Sequence, residues 1–187
     1  DLKTGKYNPP PFDCGKEIMN IFIDSQKRIW VAPYNGGLNC LTRDGKLLAT
    51  YTTRNSSLSN NVVLSLAERE GQIWIGTDGG GINILDPETG QFSLLEHIPG
   101  RDIYSLPANS ILCLYNDRNN NMWAGSIRNG LISIREVSMK TYKDVLPGND
   151  RGLSNSTVLS LFQESENRIW IGTDGGGINS FNPFTEK

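Results

Sequence analysis

The amino-acid sequence predicts an all-β fold, a β-propeller segment of four blade repeats with four short antiparallel strands in each. Three observations carry that expectation. The stretch from Leu64-Ser65-Leu66 to Ile73-Trp74-Ile75-Gly76-Thr77-Asp78-Gly79-Gly80-Gly81-Ile82-Asn83 returns almost unchanged from Leu159-Ser160-Leu161 to Ile169-Trp170-Ile171-Gly172-Thr173-Asp174-Gly175-Gly176-Gly177-Ile178-Asn179. Weaker copies centre on Trp30 and Trp123, so the tryptophans fall 44, 49 and 47 residues apart, a period suited to one blade. No segment shows the 3.6-residue apolar period of an amphipathic helix.

Along the chain, Lys3-Thr4-Gly5-Lys6-Tyr7 matches the end of a turn and the start of an outer strand over 3–8. Four blades are expected at about 18–53, 61–97, 110–145 and 157–182. In the second, strands are expected at 62–68, 72–77, 81–86 and 92–97, rich in β-branched and aromatic residues. Asp86-Pro87-Glu88-Thr89-Gly90 is turn chemistry, with Pro presetting φ and Gly supplying the left-handed position. Asp44-Gly45 serves the first blade in the same way.

Connectors recur as Leu58-Ser59-Asn60-Asn61, Leu106-Pro107-Ala108-Asn109 and Leu153-Ser154-Asn155-Ser156. They read as inter-blade linkers whose leucines tuck between neighbouring blades. The last copy stops inside the turn Asn182-Pro183-Phe184-Thr185 and so lacks its own outer strand. Either the strand at 3–8 completes that blade and closes a four-bladed ring, or the segment is an arc of a larger propeller, which is the favoured expectation because four-bladed rings are the low end of blade counts. Raw strand edges and an uncovered apolar face would then drive self-association or contact with neighbouring blades.

Two repeat positions read as scaffold. Trp30, Trp74, Trp123 and Trp170 each lie in an apolar strand two residues before a small residue (Ala32, Gly76, Gly125, Gly172), so their rings are expected between blades, each indole N–H needing one acceptor. Gly37, Gly81, Gly130 and Gly177 stand seven residues after each Trp, where a positive φ or a close approach of blades would require glycine.

Composition narrows function by exclusion. The 187 residues are 37% hydrophobic and 20% charged, and 18 Lys+Arg against 20 Asp+Glu give a net charge of -2. That balance provides no field for nucleic acid or an anionic membrane surface. No apolar run of 18 residues exists, and the N-terminal residues contain no signal-peptide-like apolar stretch. Cys14, Cys40 and Cys113 have neither zinc spacing nor an even count; the latter two fall in strand patterns as small buried residues.

No catalytic constellation emerges. His97 is the single histidine, at the end of an outer strand. Asp78 and Asp174 occupy equivalent turn positions, which turn preference explains better than paired glycosidase carboxylates. The Gly-rich turns join two strands without a following Lys-Ser/Thr, so they are not phosphate loops. No metal, cofactor or enzymatic activity is expected in this segment.

The turn tips differ between copies on a constant frame, which suits binding. They share a face with the linkers, including the long Pro99-Gly100-Arg101-Asp102-Ile103-Tyr104. Tyr34 and Tyr104 offer aromatic faces, and Asn35, Asp78, Arg128, Asn129 and Asp174 offer polar groups; together they are the candidate ligand residues. Ordinary solvated loops are the competing reading.

The pattern Leu-Ser-x-x-x-Val-Leu-Ser-Leu, then Ile-Trp-Ile-Gly-Thr with Gly-Gly-Ile-Asn, then Asp-Pro-x-Thr-Gly-x-Phe, closely resembles the two-component regulator propeller repeat. The stretches 58–92 and 153–183 match best; the other copies depart at Pro33-Tyr34 and Ile127-Arg128-Asn129. The resemblance covers nearly the whole chain. It implies the periplasmic sensor region of a hybrid two-component histidine kinase of the gut Bacteroidetes type, with paired seven-bladed propellers, carbohydrate ligands, and membrane and kinase parts outside this segment. Two other functions stay open: a structural or protein-interaction arc that mediates dimerisation, and a propeller lyase or glycosidase.

Overall fold

A computed structural model describes residues 17–100, 105–135, 138–143 and 152–186. All the regular structure among the described residues is β. The first blade is β1 (Ile18–Ile23), β2 (Ile29–Pro33), β3 (Leu38–Leu41) and β4 (Leu47–Tyr51). The second is β5 (Val63–Arg69), β6 (Gln72–Thr77), β7 (Ile82–Leu85) and β8 (Phe92–Leu95). The third is β9 (Ile111–Asn116), β10 (Met122–Ser126), β11 (Leu131–Arg135) and β12 (Ser138–Tyr142). The fourth has β13 (Val158–Ser165), β14 (Arg168–Thr173) and β15 (Gly177–Phe181).

Each blade is an antiparallel meander in chain order, four-stranded in the first three and three-stranded in the fourth. Strands in the second blade follow the expected pattern, although the two later ones are shorter, ending at Leu85 and Leu95 before the turn residues begin. The strand expected over 3–8, and with it ring closure, lies outside the described residues, as do Cys14 and Tyr104.

First strands of successive blades lie side by side. They are linked by a repeated hydrogen bond to the next blade: Asn20 Nδ2 donates to Leu64 O (3.3 Å), Ser65 Oγ to Ile111 O (3.4 Å), and Cys113 Sγ approaches Val158 O (3.9 Å). Opposite those side chains, on the second strand, sit Ala32, Gly76 and Gly125. Their smallness has a physical reason. A Cβ on Gly76 would collide with Ser65 Oγ and come within 2.9 Å of Ile111 Cγ2, and one on Gly125 would collide with Cys113 Sγ and come within 2.6 Å of Val158 Cγ1. Glycine there lets the next blade's first strand close onto the sheet.

Three apolar layers fill the junctions. Trp30, Leu38 and Cys40 of the first blade meet Val63, Leu66, Ile73 and Ile75 of the second, with Leu58 among them. Trp74 and Ile82 meet Ile111, Met122 and Ile132 around Leu106, and Trp123 and Leu131 meet Val158, Ile169 and Ile171 around Leu153. The linker leucines thus occupy the predicted place, and Trp30, Trp74 and Trp123 each face the blade that follows.

Two expectations about the tryptophans need correction. Trp30, Trp74 and Trp123 are buried, but Trp170 is half-exposed because no described blade follows it. Phe162 (64% exposed) and Ile178 (75%) share its sheet. At the other end, Ile21 (62%) and Ile23 (60%) of β1 are also exposed. Moreover, not every indole has an acceptor: Trp30 and Trp123 donate to Asp24 and Asp117 at 2.9 and 2.8 Å, whereas buried Trp74 Nε1 has no partner.

Candidate ligand-binding face

The face begins with the turn between the second and third strands of each blade. At its first residue the backbone N–H donates to the residue just before that blade's first strand: Tyr34 to Glu17 O (2.9 Å), Asp78 to Val62 O (3.0 Å), Ile127 to Ser110 O (3.1 Å), Asp174 to Thr157 O (3.0 Å). At its end the glycine N–H donates to the linker of the next blade: Gly37 to Asn61 O (3.0 Å), Gly81 to Asn109 O (2.8 Å), Gly130 to Ser156 O (2.6 Å). Turn tips and linkers are therefore laced together on one face, as the repeat pattern predicts.

Of the two reasons expected for these glycines, a positive φ and a close approach of blades, the first holds. Gly37, Gly81, Gly130 and Gly177 all have φ between 72° and 77°, the left-handed region that favours glycine. The close approach is not between blades: a Cβ on Gly37, Gly81 or Gly130 would strike the carbonyl oxygen of Tyr51, Leu95 or Tyr142 on the same blade's outermost strand. Gly177 has open space there, its blade having no described fourth strand.

The candidate side chains divide into free and occupied groups. Tyr34 is 59% exposed, and Asn35 and Arg128 are exposed at left-handed φ values of 52° and 63°. Asp174 is exposed as well. Asp78 is not free: its Oδ1 accepts from Ser110 Oγ at 2.8 Å, and its carbonyl accepts from Asn60 Nδ2 at 2.6 Å. Asn129 is half-buried and bends back to Ile127 O at 3.4 Å. The structure thus brings six of the seven candidates to one face, with Tyr104 outside the described residues, and leaves Tyr34, Asn35, Arg128 and Asp174 as its free groups.

Beside this face runs a clasp that strand-by-strand reading misses. Ser59 N donates to Asn83 Oδ1 (2.9 Å) while Asn83 Nδ2 donates to Ser59 Oγ (2.7 Å). Ser154 and Asn179 repeat both bonds, at 2.9 and 2.8 Å. The third blade has Pro107 and Ile132 at the same two positions. Replacing both members of a polar pair by apolar groups avoids leaving either one without its partner. The joint exchange of Ser-Asn for Pro-Ile was the available sequence signal.

His97 is structural: its Nδ1 lies 2.8 Å from Leu106 O and its N–H donates to Asn109 Oδ1 at 2.6 Å, tying β8 to the next linker. Burial pushes the Cys40 thiol up to about 11 and that of Cys113 to about 12, so neither is a thiolate nucleophile at neutral pH. Among the described residues, no cluster of His, Cys, Asp and Glu could hold a metal ion, and no helix is long and apolar enough to cross a membrane.

A family model described as the two component regulator propeller matches residues 57–79, 105–128 and 152–175, each running from a linker to a turn tip. These three stretches are two-component regulator propeller repeats. The repeat thus spans the Leu linker, the first two strands and the Trp, the portion that builds each junction. Among solved structures, the extracellular domain assigned to a one component system of B. thetaiotaomicron matches with a TM-score of 0.69 and 30% identity, over 87% of this chain and 21% of its own. That assigned to a hybrid two component system of the same organism matches with a TM-score of 0.70 and 23% identity, over 89% and 23%. The WD40 β-propeller domain of Doa1, at TM-score 0.65 and 16% identity, covers 89% of this chain and 51% of its own, a likeness of fold alone. The chain spans less than a quarter of the two bacterial domains. No curated protein sequence matches it.

Proposed function

We propose that these two-component regulator propeller repeats are part of the extracytoplasmic, periplasmic region of a hybrid two-component sensor, and that they take part in carbohydrate recognition without chemistry of their own. One observation carries the reading: the repeats hold their turn tips in a fixed hydrogen-bonded frame, while Tyr34-Asn35 in the first blade and Ile127-Arg128 in the third replace the Asp-Gly tip that the second and fourth blades share. Fixed backbone with variable tips is how a scaffold acquires specificity without losing its fold. The extracellular domains of similar fold from B. thetaiotaomicron support an extracytoplasmic placement.

In this reading Tyr34 supplies an apolar ring face to a pyranose, while Asn35, Arg128 and Asp174 supply hydrogen bonds around it. Calorimetry with a panel of neutral oligosaccharides tests it, using the full chain and its Tyr34→Ala and Arg128→Ala variants. Affinity that is unchanged in both variants removes this face from recognition. A gene that ended soon after the propeller, without a downstream membrane helix and kinase, would remove the sensor assignment.

A second reading rests on the exposed sheet faces at the two ends. Phe162 and Ile178 on one side, and Ile21 on the other, occupy positions that other blades pack against a neighbour. Such faces suit an arc that packs against further blades or a second copy. Light scattering of the chain distinguishes this: a monomer unaltered by Phe162→Ser would sink it.

A further inference from the structure

We infer that the outer groove between the first two blades is a second saccharide site, one that selects an acidic sugar through Arg54. It shares with the preceding reading only the class of ligand, and it lies at the rim, away from the turn tips. The groove is an open one of about 760 Å³ between β4 with its following loop and the turn that leads into β8. That size falls within the usual range for small-ligand sites.

Its floor is aromatic. Tyr51 stacks on Trp30 at 6.3 Å between ring centroids and meets Phe92 edge-on at 5.7 Å, so both rings are fixed by the core while remaining partly exposed. Its rim is polar and preorganised. Asn55 Oδ1 accepts from Thr52 N (2.7 Å) and Thr52 Oγ1 (2.9 Å), Asn55 Nδ2 donates to Thr50 O (2.8 Å), and Ser56 Oγ donates to Thr52 O (2.7 Å). Thr53 N is tied to Asn61 Oδ1 at 2.9 Å. The loop that carries Arg54 is therefore held in place before any ligand arrives, which lowers the ordering cost of binding.

Arg54 is the sole charged residue lining the groove among the described residues. Its guanidinium has no ion pair or hydrogen bond among the described residues, and the exposed Gln91 amide on the facing turn is likewise unengaged. A planar donor fork that can grip a carboxylate with two bonds, an amide for hydroxyl groups and an aromatic floor for the ring's apolar face together describe a uronate-bearing oligosaccharide. A neutral sugar would leave the guanidinium without its counter-charge. A simple anion would leave the aromatic floor unused.

Calorimetry on the full chain tests this with a trigalacturonate, the matching trisaccharide whose carboxylates are reduced to alcohols, and inorganic sulfate. The acidic trisaccharide should bind about tenfold or more tightly than either of the others, and Arg54→Ala should remove about tenfold of that affinity. Arg54→Lys should restore part of it, and Gln91→Ala should cost less than Arg54→Ala. Tyr34→Ala and Arg128→Ala should leave it unchanged. The inference is overturned if trigalacturonate gives no binding heat, if Arg54→Ala binds it as wild type does, or if sulfate or the reduced trisaccharide binds equally well. Loss in the Tyr34 and Arg128 variants alone would assign the acidic sugar to the turn-tip face instead.

Discussion

The first and second blades place the same tryptophan between sheets but finish its N–H differently. In the first, the connection Asp24 to Arg28 brings a buried carboxylate under the ring: Asp24 accepts from Trp30 Nε1 (2.9 Å), from Arg28 N (2.8 Å) and from Arg28 Nε (2.6 Å). The third blade repeats the device with Asp117, which accepts from Trp123 Nε1, Asn119 N and Asn121 N at 2.8 to 2.9 Å. In the second blade the connection shrinks to Glu70-Gly71, and Arg69 stands opposite the strand's end with its Cζ 5.9 Å from the Trp74 ring. Both Arg69 Nε and Trp74 Nε1 are then buried without acceptors. The fourth blade has a similarly short connection, Glu166-Asn167, and Arg168 lies 5.6 Å from Trp170. The ring is thus the element the junction needs, and the acceptor is an optional addition that a longer connection makes possible.

The largest expected effect comes from deleting an acceptor. Asp117→Ala strips a buried indole of its partner and releases the turn that the carboxylate organises, at a cost of about 3 kcal/mol. Urea unfolding followed by Trp fluorescence measures it. Arg69→Ala, at the corresponding place in the second blade, should cost under about 1 kcal/mol because only a cation-π contact is lost, and an unsatisfied buried N–H goes with it. Equal losses in the two variants would break the comparison.

Next in size is the contrast between Trp74→Phe and Trp123→Phe. Both lose similar apolar contact, but only the first also removes an orphan donor, so it should be milder by about 2 kcal/mol. Trp123→Phe in addition leaves Asp117 with a buried lone pair unmet. The same denaturation assay, read as a difference between the two variants, checks this.

A smaller effect is expected at the clasps. Ser59→Ala should cost about 1 kcal/mol, because Asn83 loses its hydroxyl partner. Asn83→Ile alone should be worse than Asn83→Ile combined with Ser59→Pro, which reproduces the third blade's apolar pair. A combined variant less stable than the single one would show that the third blade's exchange is not a matched solution.

The pH dependence isolates the first blade. Burial alone would raise the Asp24 carboxyl, but hydrogen bonds from Trp30 and Arg28, together with the Arg28 charge, outweigh it and hold Asp24 below the usual carboxylate range. A depressed folded-state value stabilises the fold above the unfolded value, near about 4, and that contribution disappears as the pH falls through the folded value. Thermal midpoints from pH 6 down to pH 2 should therefore fall less steeply in Asp24→Asn, which starts lower, than in wild type. Parallel curves would mean that Asp24 does not carry the acid sensitivity.

The repeat was legible because it is written in residues that junction geometry demands. Trp30, Trp74 and Trp123 fill the layers between sheets, and Gly76 and Gly125 admit the next blade's first strand. The turn tips were legible as one face because each follows its Trp at a fixed spacing. The state of each tip was not. Asp78 looks equivalent to Asp174, yet its carboxylate bonds to Ser110, 32 residues away in the next linker, a position that the sequence pattern alone does not pair with it. The Arg54 groove was equally hidden, because its two walls come from the outer strands of different blades.

Local chemistry is what the sequence determined by itself: antiparallel meanders between Gly- and Asp-rich turns, a blade period, the left-handed glycines and the linker leucines. These follow from backbone sterics and apolar patterning within each repeat, and the period from its recurrence. Tertiary structure alone decided which polar groups are spent and which are free. Hydrogen-bond partners such as Ser110 for Asp78, the missing acceptor at Trp74 and the unpaired guanidinium of Arg54 depend on what an adjacent blade brings within about 3 Å, a distance set by packing between repeats.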